Sequence, residues 1–190
     1  DVEEFGARTV HAQRLGIVLA LPDDRGSTEK VVVHEWIKQA DGSKIKVGSL
    51  LRIPYVSDYR GGEFALVFAA YDGNRQLGIT EIQWISQSEA NYFSGLSKLT
   101  DKRSRVRFLL EAEASGDALV SDHAFAELKA IQAEQLRGLL QKNQRDFVLR
   151  RLRTPGLASA RRSLYLLLLG FVGESTDIKY LEPYVFPENE

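Results

Sequence analysis

The spacing of apolar residues changes once along this chain, near residue 86, and no other feature limits its fold as strongly. Before that point the apolar residues fall in short runs. Leu15 to Leu21, Val31 to Ile37, Leu50 to Tyr55 and Phe64 to Tyr71 come first, and Thr80 to Trp84 alternates with period two. Pro22 to Gly26, Asp41 with Gly42, Lys46 to Gly48, Arg60 to Gly62 and Asp72 to Asn74 supply turn residues between them. Pro54 lacks an N–H and pushes the third run towards a strand end or sheet edge. The run from Phe64 is apolar on both faces, which predicts the central strand. Five short strands at this spacing predict a small antiparallel barrel or sandwich.

After residue 86 the period becomes helical. Ser86 and Glu89 form a capping-box pair, with Ser86 as N-cap. Tyr92, Phe93, Leu96 and Leu99 then share one face. Asp101 opens a second helix, striped by Val106, Leu109, Leu110 and Ala114. Ser115 to Asp117 interrupts it, and further helices are predicted over Leu119 to Ile131, Ala133 to Lys142 and Phe147 to Leu152. Thr154 and Pro155 predict an N-cap and first helical residue for the stretch striped by Leu157, Ala160, Leu164, Leu167, Leu168 and Phe171. Gly173 ends it, and Ser175 to Leu181 predicts a short last helix. Phe108 and Phe147 are 39 residues apart, as are Ala118 and Leu157, and Phe125 and Leu164. A period near 40 with two helices per unit predicts HEAT-type stacking. The expected class is therefore α+β, with a β-barrel-like domain over 1–86 and a HEAT-like helical domain over 87–190.

Composition removes several chemistries. The 190 residues are 44% hydrophobic and 27% charged, which excludes wholesale disorder. There is no Cys, so disulfides, thiolate metal sites and a cysteine nucleophile are all excluded. There is no Met either, and a start at Asp1 is expected of a processed product. The apolar run from Leu164 to Val172, broken by Gly170, falls far short of the ~20 residues of a membrane span.

Residues 101 to 184 resemble a short HEAT-like array, most typically from Arg161 to Gly170. Residues 10 to 85 are similar to small barrels of the OB or netrin/tissue-inhibitor type, on the phrases Lys46 to Ile53 and Gly62 to Phe68. Netrin-type domains usually carry cysteines, and this chain departs from them there. The order of the two parts resembles uncharacterised exported proteins of planctomycete-like bacteria. That resemblance implies a place outside the cytoplasm and brings no family active site with it.

The motifs that suggest catalysis fail on geometry. His34 to Lys38 begins like a zinc-protease HExxH, but its last position is Lys, and on a strand residues four apart cannot share a metal. Ser121, Asp122 and His123 have triad residue types, yet helical neighbours point ~100° apart. A Ser or Asp helix N-cap is the simpler reading of them. His11, His34 and His123 are scattered. Asp72 to Asn74 lacks the glutamate of a calcium loop. Glu111, Glu113, Asp117 and Asp122 could cluster, although solvated helix ends account for them. No metal and no cofactor are expected.

One segment stands apart. Lys142, Arg145, Arg150, Arg151, Arg153, Arg161 and Arg162 lie within 21 residues that hold a single acid, Asp146, in a chain of net charge −1. Arg suits carboxylate and phosphate recognition. Arg150, Arg151, Arg153, Arg161 and Arg162 are therefore the candidate binding residues. The competing reading is outward-facing arginines on amphipathic helices, some paired with the acids from Glu174 to Glu190. A binding cluster should be exposed and unpaired in the free protein. The leading functional expectation is a non-enzymatic protein–protein interaction module. The alternative is a nucleic-acid-associated protein that uses an OB-like barrel with the basic patch. That alternative requires exposed aromatics from Trp36, Tyr55, Tyr59, Phe64 and Trp84 for stacking. An enzyme with a pocket at the junction of the halves lacks any composed set of acid, base and nucleophile.

Overall fold

Consecutive buried residues on one strand reveal how the first unit is layered. In the computed structural model, which describes residues 15–22, 30–38, 45–52, 64–71 and 77–182, Ala65, Leu66, Val67 and Phe68 are all buried. Side chains alternate across a strand, so both faces of this one are covered. The strands are β1 (Leu15–Pro22), β2 (Lys30–Lys38), β3 (Leu50–Arg52), β4 (Phe64–Tyr71) and β5 (Leu77–Ile85). They form one sheet of order β3-β2-β1-β4-β5, antiparallel throughout. The middle position belongs to β1, and β4 is interior beside it. The expected barrel closure is not present among the described residues, where β3 and β5 are the two edges. Pro22 closes β1, and the rest of the turn expected at Pro22–Gly26 lies outside the described residues, as do those at Asp41–Gly42, Arg60–Gly62 and Asp72–Asn74 and His11, Pro54, Tyr55 and Tyr59.

Bulges decide which side chain joins which layer. On β2, Ala20 pairs with Val33 but Leu19 pairs with Glu35, so His34 is an extra residue. The phase flips there. Trp36 consequently joins Val31 and Val33 on one face, while Glu35 turns to the other. On β5 the same device operates at Thr80, since Phe68 pairs with Glu81 and Ala69 with Ile79. Ile79, Ile82 and Trp84 thereby share one face and pack on Ala65 and Val67.

Helix α1 (Gln87–Ser97) covers the opposite face, packing on β2 and β4. The expected capping box is present: Glu89 accepts the Ser86 N–H at 2.6 Å and Ser86 accepts the Glu89 N–H at 3.3 Å. Ala90, Tyr92, Phe93 and Leu96 are the buried side of the helix. Ser94 and Ser97 donate to the Glu35 carboxylate at 2.6 and 3.1 Å, tying the helix to the bulged strand. Burial of Glu35 works against its charge. The two hydroxyl bonds, with Lys98 and His34, outweigh it and hold the carboxyl below its ordinary range. These elements lie in one compact unit, 7–100, and the remainder of the described chain lies in a second, from Asp101 onward.

The second unit is helical: α2 (Lys102–Glu113), α3 (Ala118–Ala130), α4 (Ala133–Leu139), α5 (Arg145–Leu152) and α6 (Ser159–Val172), with 3-10 turns at Lys142–Gln144 and Ser175–Tyr180. Asp101 and Asp117 cap α2 and α3 through the Ser104 and Val120 N–H groups, at 2.8 and 3.1 Å. The last long helix does not begin at Thr154 and Pro155 as expected. Gly156 takes φ +72°, a left-handed value that breaks the helix, so Thr154 to Leu157 form a turn and α6 starts at Ser159. Gly173 does end α6, where an added Cβ would lie 2.5 Å from the Leu169 carbonyl oxygen. Helix pairs α2–α3 and α5–α6 make the main packing contacts, over a core that includes Val106, Leu109, Leu128, Leu168 and Tyr165. No helix among the described residues is long and apolar enough to cross a membrane.

Candidate functional site

The basic segment that the sequence marks out folds largely inward. Glu113, the last residue of α2, is fully buried. An isolated carboxylate there would be very costly, so it must be paired. Arg161 on α6 donates through Nη1 to its Oε1. Arg151 on α5 donates through Nη2 to both oxygens, at 3.3 and 3.1 Å. The Tyr165 hydroxyl, also on α6, donates to Oε2. Arg161 reaches onward to Asp122 through Nη2 and to the Ser121 hydroxyl at 2.9 Å, both on α3. Ser121 in turn donates to the Glu113 carbonyl at 2.6 Å. Arg161 lies over the Phe125 ring and Arg151 over the Tyr165 ring, at 5.0 and 5.5 Å from the centroids. A single carboxylate thus joins α2, α5 and α6, and Arg161 extends the link to α3.

The electrostatics agree with a structural role. Burial, then the bond to Glu113, push the Tyr165 phenol well above its ordinary value. Burial works against the Arg151 charge, but Tyr165 and Glu113 outweigh it and hold the guanidinium above its usual pKa. Glu113 receives two cations and a phenol and is closed to solvent. It has no free lone pair with which to act on a substrate.

Arg151 and Arg161 therefore do not meet the expectation of exposed, unpaired guanidiniums. The requirement of the buried Glu113 is the physical reason. Arg153 is exposed but engaged: it donates to the Tyr180 hydroxyl at 3.1 and 2.5 Å and lies over that ring. Arg162 is half-buried, and Arg150 is exposed. Arg145 makes a bidentate fork with Asp177, at 2.7 Å on each oxygen, which pins the last 3-10 turn to α5. That fork holds the Asp177 carboxyl below its ordinary range. Pairing of the basic segment with the acids beyond Glu174 is thus seen at Arg145.

Ser121 and Asp122 are not N-caps as expected; they sit inside α3, which Asp117 caps, and both serve Arg161. His123 beside them is buried. Burial, against attraction from Glu127 and with repulsion from Arg105, lowers its pKa to about 4. The unfolded imidazole titrates near 6.5, so between these values the unfolded state binds the proton and the folded state does not. Stability is then complete above ~6.5 and falls as pH drops towards 4, by about 3 kcal/mol in total. The expected result is that His123→Phe flattens urea-denaturation stability across pH 6.5 to about 5, above the range where carboxylates such as Glu35 take up protons, while the parent chain loses stability there.

His34 is exposed on β2, as a strand residue should be, and shares no site with His123. Among the described residues no group of His, Asp and Glu could hold a metal. Trp36 donates its indole N–H to the Ile45 carbonyl at 3.2 Å, and Trp36 and Trp84 both pack on the sheet core. Neither indole is an open stacking platform.

One cationic feature lay outside the sequence reading. Asp101, Arg103, Ser104 and Arg107 at the start of α2 face Leu139, Gln141 and Gln144 across an open cleft of about 200 Å³. Arg103 and Arg107 are exposed, and neither makes an ion pair among the described residues. Asp101 is occupied by its cap, whose bonds from the Ser104 hydroxyl and N–H hold its carboxyl below the usual range. Cation density along the sequence does not mark this group, because its residues come from two segments that only folding brings together. No family model matches the chain, and neither a curated protein nor a solved structure shows significant similarity to it.

Proposed function

We propose that the chain is a non-enzymatic interaction module whose helical unit receives an acidic segment of a partner protein. The observation that carries this reading is a division of labour among the cations. Arg145, Arg151 and Arg161 are held by Asp177, Glu113 and Asp122. Arg103, Arg107, Lys142 and Arg150 stand exposed and make no ion pair among the described residues, although Arg103 acts on the Asp101 carboxylate through space. Exposed cations contribute little to the fold, and their attraction for an anionic partner stays available. The successive pairs α2–α3 and α5–α6 support a HEAT-like array, which offers an extended binding face. The bulges on β2 and β5 support an OB-like or netrin-like first unit, since small barrels bend at bulges. Saturation of Glu113 argues against using the most buried acid for catalysis.

Fluorescence anisotropy with a labelled glutamate-rich peptide tests this. The expected result is binding that weakens steeply with added salt, against none for a glutamine-rich peptide of equal length, both peptides being C-terminally amidated. Equal response to both peptides would contradict the reading. Tighter binding of single-stranded DNA would replace it with the nucleic-acid alternative.

A further inference from the structure

Resting on that reading, we propose that the cleft between the start of α2 and the 141–144 turn seats one carboxylate of the acidic partner segment. Arg103 and Arg107 are four apart, so their side chains rise from one face of α2. Both border the cleft and neither is consumed by an ion pair. Gln144 faces them with a fixed amide: its Oε1 accepts the Gln141 N–H at 2.7 Å, so its Nε2 hydrogens remain for a ligand oxygen. Leu139 gives the cleft an apolar side against which the methylenes of an acidic side chain can lie.

Charge selects the class of anion. Two guanidiniums and the Asp101 carboxylate leave the cleft one net positive charge, which a single carboxylate neutralises. A phosphate dianion would leave negative charge in excess beside Asp101, and a second carboxylate would be repelled by it. The carboxylate can belong to a Glu or Asp side chain or to a chain end, and the chemistry of recognition is the same for both.

The test uses the intact chain and a C-terminally amidated glutamate-rich peptide. Arg103→Gln with Arg107→Gln should weaken binding by about tenfold or more while leaving the thermal midpoint in place. The Gln144 side-chain amide should shift in ¹⁵N NMR spectra on titration. A glutamine-rich peptide with a free C-terminus, bound with the same dependence on Arg103 and Arg107, would assign the carboxylate to a chain end. Inorganic phosphate displacing the acidic peptide at lower concentration than acetate would overturn the carboxylate assignment. Unchanged binding in the double variant, with loss in Lys142→Gln and Arg150→Gln, would overturn the cleft and leave the acidic partner standing. No binding by the parent chain would remove both.

Discussion

Glu113→Ala is expected to lower the unfolding free energy by about 3 kcal/mol, the low end of what breaking a buried ion pair costs. The loss comes from what is left behind. Arg151, Arg161 and the Tyr165 hydroxyl all aim at the Glu113 carboxylate, and without it two desolvated cations and a buried phenol face one another. Arg151 and Arg161 keep some access to water, with side chains 20% and 16% exposed, so part of the cost is relieved by their turning outward. Removing the whole group should behave differently. The combination Glu113→Leu, Arg151→Met, Arg161→Met and Tyr165→Phe should recover most of the loss, because a packed apolar set needs no charge compensation and leaves no buried hydroxyl without an acceptor. Urea denaturation with a constant slope checks both. A single-substitution cost below about 1 kcal/mol would show that the group is not a keystone of the helical unit.

Phe93→Ala is expected to cost about 3–5 kcal/mol, within the usual range for deleting a buried aromatic ring. Phe93 is 1% exposed on the buried side of α1, in an edge-to-face contact with Tyr92 at 5.0 Å between centroids. Alanine there removes the ring and its contact with Tyr92 and leaves a cavity in a closed part of the core. Ser94→Ala on the same helix removes one of two hydroxyl donors to Glu35 and should cost only about 1 kcal/mol. Chemical denaturation followed by tryptophan fluorescence reads both, since Trp36 and Trp84 lie in the same sheet. Equal costs for the two substitutions would mean that α1 is held by its polar contacts and not by its apolar side.

The legible parts of this fold were those written in local sequence. The Ser86–Glu89 box joins residues three apart, and both of its bonds form as the spacing demands. The change of period at that box separates strands from helices without reference to any distant residue. The bulges at His34 and Thr80 were not legible, because a bulge is a mismatch with a partner strand and leaves no signature on one strand alone. Thr154 and Pro155 carry a sound start signal, but Gly156 overrides it with a conformation that no periodicity records. Glu113 looked like one more solvated acid at a helix end. Its burial depends on Arg151 and Arg161, 38 and 48 residues away. For the same reason the density of arginines was visible and their direction was not. The cleft of Arg103, Arg107 and Gln144 is the complement: ordinary residues in the sequence, made notable only by the packing of α2 beside the 141–144 turn.

The central claim is that folding spends one set of arginines on the helical unit and leaves another set for a partner. The most direct test measures stability and acidic-peptide affinity side by side in two double variants. Arg151→Met with Arg161→Met should lower the urea midpoint clearly and, at temperatures where it remains folded, bind the glutamate-rich peptide as the parent does. Arg103→Gln with Arg107→Gln should keep the parent midpoint and lose most of the affinity. The opposite pattern, affinity lost with Arg151 and Arg161 at little cost in stability, would contradict the account.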